Sequence, residues 1–169
     1  ESLIQDGADV IGIDSFTDYY AREIKFANLE KLSASSQFQL VDGSIEAVDL
    51  SIYLRDCTHV FHLAAQAGVR TSWGMNFSVY TTLNINATQI LLEACLKSRI
   101  ERFVYASSSS VYGEKAPLPM REDALPLPVS PYGLTKLAAE HLCMLYHRSY
   151  GLPTVSLRYF TVYGPRQRP

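Results

Sequence analysis

The sequence lacks the features that mark membrane, nucleic-acid-binding and disulfide-rich proteins. No apolar run approaches the roughly 20 residues of a membrane span. With 15 basic and 17 acidic residues, the net charge of −2 favours neither nucleic acid nor a membrane surface as a partner. The four histidines show no metal-ligand spacing, so no metal site is predicted. Cysteine is scarce, and an odd set within apolar patterns predicts buried free thiols at Cys57, Cys95 and Cys143.

What the chain does have is a regular alternation of strand and helix patterns. An apolar fraction of 47% over 169 residues is enough for one domain with a hydrophobic core. Alternating strands and helices, without internal repeats, predict an α/β fold with a parallel sheet covered by helices on both faces. The predicted strands are 9–14, 38–41, 60–65, 102–106 and 154–157, and the predicted helices are 21–32, 45–54, 79–98 and 131–150. A long proline-rich loop is expected between Ser107 and Val129.

The stretch Ser130–Lys136 carries the strongest chemical signal. Ser130 and Pro131 form a helix-start pattern, with a hydroxyl cap followed by proline at the first helical position. Tyr132 and Lys136, four residues apart, then share one helix face. A lysine ammonium beside a tyrosine phenol stabilises the ionised phenolate, so the tyrosine can accept and return a proton near neutral pH. Taken alone, an ordinary solvated helix start is the better explanation of the pair in a chain with 11 tyrosines.

Two further polar positions follow predicted strands. The serines 107–110 come after an apolar strand, at the sheet edge where parallel α/β proteins place their sites. Asp14 ends the strand 9–14, as does the acidic residue that binds ribose hydroxyls in dinucleotide-binding folds. Its carboxylate would repel a 2′-phosphate, which favours NAD over NADP. A simple turn residue is an equally good explanation of Asp14. The glycine-rich phosphate turn is expected about 20 residues earlier, before residue 1.

Together these motifs carry a resemblance to a known family. Asp14, His62 to Ala65, Ser107 to Gly113, Ser130 to Lys136 and Arg158 to Gly164 occur in the order found in extended short-chain dehydrogenase/reductases. Within that family the chain resembles the NAD-dependent nucleotide-sugar epimerases and dehydratases. The resemblance implies a Rossmann-like, doubly wound NAD-binding domain over residues 1–169, truncated at both ends. Residues 159–169 would begin the connection to a substrate-binding lobe.

The resemblance also implies roles for individual residues. Tyr132 would be the catalytic base, Lys136 would hold the nicotinamide ribose and acidify Tyr132, and Ser108 would hydrogen-bond the reacting sugar hydroxyl. Ser44 stands where many members carry an Asp for the adenine amino group. The implied cofactor-binding residues are Asp14, Ser44, Leu63, Ala64, Ala65, Asn84, Ser107, Tyr132, Lys136 and Tyr159.

The implied reaction oxidises C4 of a UDP-sugar and then reduces the 4-keto sugar on its other face, restoring NAD. Dehydratases of the family carry Asp and Glu at the Ser109 and Ser110 positions, and decarboxylases carry Glu at Ser110, so elimination and decarboxylation are disfavoured. The motifs look most like those of UDP-glucuronate 4-epimerases, whereas UDP-glucose 4-epimerases usually carry Asn at Thr161. Solvated loop charge is an equally good explanation of Arg168. The predicted substrate-binding residues are Ser108, Ser109, Ser110, Tyr132, Thr161, Arg168 and Arg70.

Two alternatives stay open beside this hypothesis. One is a UDP-glucose/UDP-galactose 4-epimerase with the same machinery, or less favoured a nucleotide-sugar dehydratase. The other is a non-catalytic NAD-binding scaffold, which the intact Tyr132 and Lys136 disfavour. The resemblance further implies a cytoplasmic homodimer that pairs through residues 79–98 and 131–150. Without a phosphate loop and a substrate lobe, residues 1–169 alone are expected to be inactive.

Overall fold

A computed structural model describes residues 1–167 of the chain. Its backbone divides into two compact units, one formed by Glu1–Asp49 with the chain from Val162 onward, the other by Leu50–Thr161. The strands are β1 Val10–Asp14, β2 Phe38–Asp42, β3 His59–His62, β4 Arg102–Ser108 and β5 Thr154–Tyr159. The helices are α1 Ser2–Gln5, α2 Arg22–Ser33, α3 Leu50–Leu54, α4 Phe77–Tyr80, α5 Ala87–Cys95 and α6 Pro131–Tyr150.

The first unit is a parallel pair of strands connected by α2. β1 and β2 run in register from Val10 opposite Phe38 to Asp14 opposite Asp42, so both strands end in a carboxylate. Helix α1 ends at Gln5 with Asp6 as its C-cap, and Gly7 follows with a φ of +87°, which only glycine tolerates easily. The predicted strands 9–14 and 38–41 and the predicted helix 21–32 are confirmed here.

The second unit is a parallel three-stranded sheet in the order β3-β4-β5. Its central strand β4 alternates exposed or half-buried with buried side chains, which is the period of a strand with one face on a core. The fully buried aromatic rings of Phe103 and Tyr105 lie on that face. The parallel strands connected by helices confirm the predicted α/β class.

Helix α6 follows the predicted bounds residue for residue. Ser130 is extended and its hydroxyl oxygen accepts a hydrogen bond from the Gly133 amide at 3.1 Å, while Pro131 begins the helix. The helix ends at Gly151, whose φ of +72° places it in the left-handed region. Both ends are therefore determined by local backbone chemistry.

The predicted helix 79–98 is present, but it is not a regular α-helix. It begins at Phe77 and ends at Cys95, and a π-helical segment, Thr81–Asn86, separates α4 from α5. π-helical turns inside helices often lie at functional sites.

Other boundaries also differ from the sequence prediction. The helix expected over 45–54 begins only at Leu50, because the Ser44 carbonyl accepts from both the Ala47 and the Val48 amides and closes a separate turn. Strand β3 stops at His62 rather than at residue 65, because its ladder with β4 ends there. β4 continues through Ser107 and Ser108, where a loop was expected, since β5 also extends to Tyr159 and pairs with both residues.

The other sequence expectations concern thiols, metals and membranes. Cys95 and Cys143 are buried as predicted, whereas Cys57 is partly exposed and its thiol lies 3.1 Å from the His59 carbonyl oxygen. Within residues 1–167, no cluster of His, Cys, Asp and Glu has the makings of a metal site. No helix in the same range is both long and apolar enough to cross a membrane.

Candidate active site

The end of β4 turns directly into a short 3₁₀ turn. Ser108 caps this turn, Ser109–Val111, and its hydroxyl oxygen accepts a hydrogen bond from the Ser110 amide at 3.1 Å. Because the oxygen is the acceptor, the hydroxyl hydrogen of Ser108 remains available for donation to a ligand. A side chain in this state suits the predicted contact with a reacting sugar hydroxyl.

Helix α6 approaches this turn closely at Gly133. A Cβ atom on Gly133 would lie 2.6 Å from the Ser110 carbonyl oxygen and 3.1 Å from the Cβ of Pro128. Only glycine allows the backbone of the helix to lie this near to the turn. The serine segment and the first turn of α6 are thus brought together, as the sequence motifs predicted.

Tyr132 lies in that first turn and is half-buried. Its ring meets the ring of Tyr80 edge to face, with centroids 6.3 Å apart and planes at 78°. The backbone carbonyl of Tyr132 accepts a hydrogen bond from the Thr135 hydroxyl at 2.8 Å. The ring and the backbone of Tyr132 are therefore both held by neighbouring groups.

Lys136 is buried, with only 4% of its surface exposed. Its Nζ donates to the Ala106 carbonyl at 2.9 Å and lies 5.1 Å from the ring centroid of Tyr105. Burial lowers the pKa of the Lys136 ammonium to about 8. An ammonium carries three donors, and the other two have no partner among the described residues. A buried cation with unused donors is suited to ligand hydroxyl groups.

Asn84, in the π-helical segment, connects three parts of this unit. Its Oδ1 accepts from the Gln66 amide at 2.7 Å, and its Nδ2 donates to the Gln66 carbonyl at 3.1 Å and to the Thr135 hydroxyl at 3.0 Å. The side chain is 1% exposed, and both Nδ2 donors are used within the protein. Asn84 therefore holds the segment after β3 against α6. The sequence analysis had predicted a cofactor contact for Asn84 and not this structural role.

His62 extends the same network below the sheet edge. The Thr88 hydroxyl donates to the Asn84 carbonyl at 2.7 Å, so its oxygen accepts from His62 Nε2 at 2.9 Å. Burial, together with the positive charge of Lys136, lowers the pKa of His62 to about 3. The imidazole is thus neutral and protonated on Nε2. His59 is exposed, which confirms that the two histidines lie on opposite faces of β3.

Asp14 lies at the end of β1, in the first unit, and is exposed. Its Oδ1 accepts a hydrogen bond from the Phe16 amide at 2.7 Å, which is the turn geometry that the alternative explanation of this residue requires. Oδ2 has no partner within residues 1–167. Asp14 is therefore a turn residue whose second carboxylate oxygen is left available.

The remaining predicted residues differ in how far the structure places them near these groups. Ser107 is buried, and its hydroxyl donates to Glu140 rather than outward. Tyr159 is exposed and lies opposite Ser108 in the β4–β5 register. Leu63 and Ala64 are exposed and Ala65 is half-buried; Ser44 precedes the turn after β2, in the first unit. Arg70, in the 3₁₀ turn Arg70–Ser72, and Thr161 are exposed, and Arg168 lies outside the described residues.

Comparison with known proteins assigns the family. The whole chain, residues 1–169, matches the NAD dependent epimerase/dehydratase family. This chain is a member of that family. The chain spans between about a fifth and just over half of the length of the curated relatives it matches. An uncharacterized UDP-glucose epimerase of Bacillus subtilis is 47% identical over all of this chain and 54% of its own length. UDP-glucuronate 4-epimerase 4 of Arabidopsis thaliana is 43% identical over 99% of this chain and 39% of its own length.

Solved structures of the epimerase/dehydratase family share this fold closely. The UDP-glucuronic acid 4-epimerase of Bacillus cereus, solved with UDP-glucuronic acid and NAD, matches with a TM-score of 0.96 at 50% identity over 99% of this chain and 54% of that one. A UDP-N-acetylglucosamine 4-epimerase of Methanobrevibacter ruminantium matches with a TM-score of 0.87 at 36% identity, covering 99% of this chain and 51% of that chain. The Rossmann-like assignment made from the sequence is confirmed.

Several residues of this site escaped the sequence analysis. Thr135 and Gln66 hold Asn84, and nothing in their sequence context distinguishes them from ordinary polar residues. Glu140 and Arg158 form a partly buried ion pair beside Ser107. The four-residue spacing from Lys136 to Glu140 was a usable signal for Glu140, since it places both on one helix face.

Proposed function

We propose that this protein is a nucleotide-sugar 4-epimerase that uses NAD, with UDP-glucuronate and UDP-galacturonate as its favoured pair of substrates. The observation that carries the proposal is the junction of β4 and α6. There Ser108, with its hydroxyl hydrogen available, and Lys136, with two unused donors, are held at one sheet edge with Tyr132. The likeness to a UDP-glucuronic acid 4-epimerase solved with substrate and NAD supports it.

The residues present fit NAD. Lys136 is a buried cation whose remaining donors suit the hydroxyls of the nicotinamide ribose. Asp14 presents an unpaired carboxylate oxygen suited to the hydroxyls of the adenosine ribose. The exposed small side chain of Ala64 allows a ligand to approach the backbone after β3. When bound, NAD would accept a hydride from C4 of the sugar and return it.

The protein's own groups would manage the proton and the orientation of the sugar. Tyr132 takes the proton from the O4 hydroxyl and returns it after the 4-keto sugar has turned over. Ser108 donates its hydroxyl hydrogen to the same oxygen, and the ammonium of Lys136 favours the ionised form of Tyr132. Hydroxyls at Ser109 and Ser110 provide no carboxylate for elimination at C5, which disfavours the dehydratase alternative.

The choice of a uronate rests on hydroxyls that follow β4 and β5 and on one exposed cation. Ser109, Ser110 and Thr161 are donors suited to a C5 carboxylate, and Arg70 forms no ion pair within the described part of the chain. A second candidate is a UDP-glucose/UDP-galactose 4-epimerase. The name of the 47% identical Bacillus subtilis relative, a UDP-glucose epimerase, favours it. The non-catalytic scaffold is disfavoured because the proton-handling set is intact.

The deciding experiment incubates the natural-length protein separately with UDP-glucuronate and with UDP-glucose and follows C4 inversion by proton NMR. We expect UDP-glucuronate to be converted at the higher kcat/KM. The Tyr132→Phe variant removes only the hydroxyl and should lower kcat by about a thousandfold, within the range for general acid–base catalysis. Conversion of UDP-glucose alone would select the second candidate, and no conversion of either sugar would favour the scaffold.

The oligomeric state and the cellular location are also inferred from the family resemblance. We propose a homodimer that pairs through the helical regions 79–98 and 131–150, supported by exposed apolar side chains such as Val79, Leu134 and Leu145. Sedimentation velocity on the natural-length protein would test it. A cytoplasmic location stays a prediction from the sequence.

A further inference from the structure

Ser107 belongs to a hydrogen-bond network that has no part in the proposed reaction. Its hydroxyl donates to Glu140 Oε1, on α6, and both residues lie in the Leu50–Thr161 unit. Ser107 is 5% exposed and immediately precedes Ser108. The hydroxyl is therefore occupied within the protein at the strand end where the reacting sugar is proposed to bind.

Arg158 holds the carboxylate of Glu140 in a fork. Its Nε donates to Oε1 at 3.0 Å and its Nη2 donates to Oε2 at 2.9 Å. The two side chains are only 16% and 11% exposed, so this pair is shielded from water. Hydrogen bonding to Glu140 raises the pKa of the Arg158 guanidinium, although burial opposes that rise. A two-point contact of this kind fixes direction as well as charge.

The same guanidinium also reaches the loop after the serine turn. Arg158 lies opposite Ser107 in the β4–β5 register, and its Cζ is 4.7 Å from the ring centroid of Tyr112. Its Nη1 donates to the Glu122 carbonyl at 3.4 Å. Tyr112 is 3% exposed, so its ring is a fixed surface for the cation. One ion pair thus joins β4, β5, α6 and the loop.

We propose that Glu140 and Arg158 are positioning residues, which hold the Ser107–Tyr112 segment against α6 so that Ser108 and Tyr132 keep their spacing. Ser107 acts through Glu140 rather than by touching the cofactor. The inference deepens the proposed epimerase function and rests on it for its kinetic consequence. Its structural consequence, the immobilisation of residues 107–112, does not depend on which reaction the protein catalyses.

The test combines Ser107→Ala, Glu140→Gln and the double variant in the natural-length protein. Small displacements of reacting groups lower rates strongly, so each single variant should lower kcat by about tenfold with KM and NAD content little changed. Because both act through one contact, the double variant should fall no further than the worse single variant. Arg158→Lys keeps the charge but cannot make the two-point contact with Glu140. Its kcat should therefore regain less than half of the decrease seen in Arg158→Met.

Hydrogen exchange supplies a readout that is independent of activity. Amides 108–112 should exchange about tenfold faster in Ser107→Ala and Glu140→Gln, while those of β1 and β2 stay unchanged. Asp123→Asn is the control, since it breaks an exposed ion pair with Arg121 in the same loop and should change neither readout. The proposal would be overturned if the kcat losses of the two single variants added up in the double variant. It would also be overturned, in favour of a direct contact between Ser107 and the cofactor, if the variants lost NAD while amides 108–112 exchanged at the wild-type rate. If the variants exchanged faster but the protein epimerised no sugar, only the proposed function would be contradicted, and the structural role of Glu140 and Arg158 would stand.

Discussion

The ends of β4 and β1 carry the two halves of the proposed chemistry, and they are built differently. At the end of β4, Ser107 and Ser108 are both hydrogen-bonded and Lys136 is buried. At the end of β1, Asp14 is exposed and accepts its hydrogen bond from Phe16, two residues along the chain. Ser107 and Lys136 depend on partners 33 and 30 residues away in the sequence, whereas the hydrogen bonds of Ser108 and Asp14 are local.

The difference follows from what each group has to do. A proton-transfer group must keep its distance and direction to the reacting atoms, so its neighbours have to be fixed from several elements. A carboxylate that accepts ribose hydroxyls needs only to be presented at a strand end. Substitutions near Tyr132 should therefore cost both stability and rate, whereas substitutions at Asp14 should cost only cofactor affinity.

The largest effect is expected from Gly133→Ala. The new Cβ would lie 2.6 Å from the Ser110 carbonyl oxygen, so α6 and the serine turn would have to move apart. We expect the free energy of unfolding to fall by about 2 kcal/mol. We also expect kcat to fall by more than about tenfold as Tyr132 shifts. Urea denaturation and steady-state kinetics on the natural-length protein measure the two quantities.

Gly151→Ala is the matched control at the other end of the same helix. Gly151 has a φ of +72°, but a Cβ there would meet no atom within 4 Å. The variant should lose about 1 kcal/mol of stability and keep its kcat. If Gly133→Ala kept the wild-type kcat, the close approach of helix and turn would not be what positions Tyr132.

An intermediate effect, on the free energy of unfolding, is expected when the pH is lowered, because of His62. Its folded-state pKa is about 3, against an ordinary value of 6.5, so between these values the unfolded chain binds a proton that the folded chain does not. Stability is therefore complete above pH 6.5 and is lost as the pH falls. Between pH 6.5 and about 5 the loss should be about 2 kcal/mol. His62→Gln keeps a donor for Thr88 and should remove this part of the pH dependence.

His59→Gln provides the comparison for that experiment. His59 is on the same strand but exposed, so His59→Gln is the surface substitution with which the slope of His62→Gln is compared. Equal slopes for His62→Gln and the wild type between pH 5 and 6.5 would contradict a neutral buried His62. Denaturant titrations at several pH values give those slopes.

The smallest effect is expected from Asp14→Asn. The amide oxygen can still accept from the Phe16 N–H, so the turn should form and the stability should not change. Removal of the charge should weaken NAD binding by about tenfold, which is typical for loss of a charged hydrogen bond. It should also narrow the preference for NAD over NADP. Calorimetric titration of the apoprotein with each cofactor measures both.

Asp18→Asn tests whether a neighbouring charge would do the same. Asp18 is exposed in the segment that follows β1, and its substitution should leave NAD affinity as it is. An equal loss in the two variants would mean that general charge, rather than the Asp14 carboxylate, supports binding. An unchanged affinity in Asp14→Asn would leave Asp14 as a turn residue only.

The elements predicted correctly are those whose signals are local. The bounds of α6 followed from Ser130, Pro131 and Gly151, since a hydroxyl cap, a proline and a left-handed glycine act within one turn. The late start of the helix expected over 45–54 has a local cause in the turn closed by the Ser44 carbonyl, whereas the ends of β3 and β4 depend on pairing with distant strands. Beyond the end of β3, the backbone of Gln66 is hydrogen-bonded to the Asn84 side chain.

The sequence by itself determined the α/β class, the start of α6, the spacing of Tyr132 and Lys136 and the acid at the end of β1. Only the tertiary structure decided that Lys136 bonds to Ala106, that Asn84 is a structural clamp and that Ser107 is held by Glu140 and Arg158. The reason is physical. Caps and side-chain periodicity act over a few residues, whereas the partner of a buried polar group is chosen by whichever distant group packing brings within hydrogen-bonding distance.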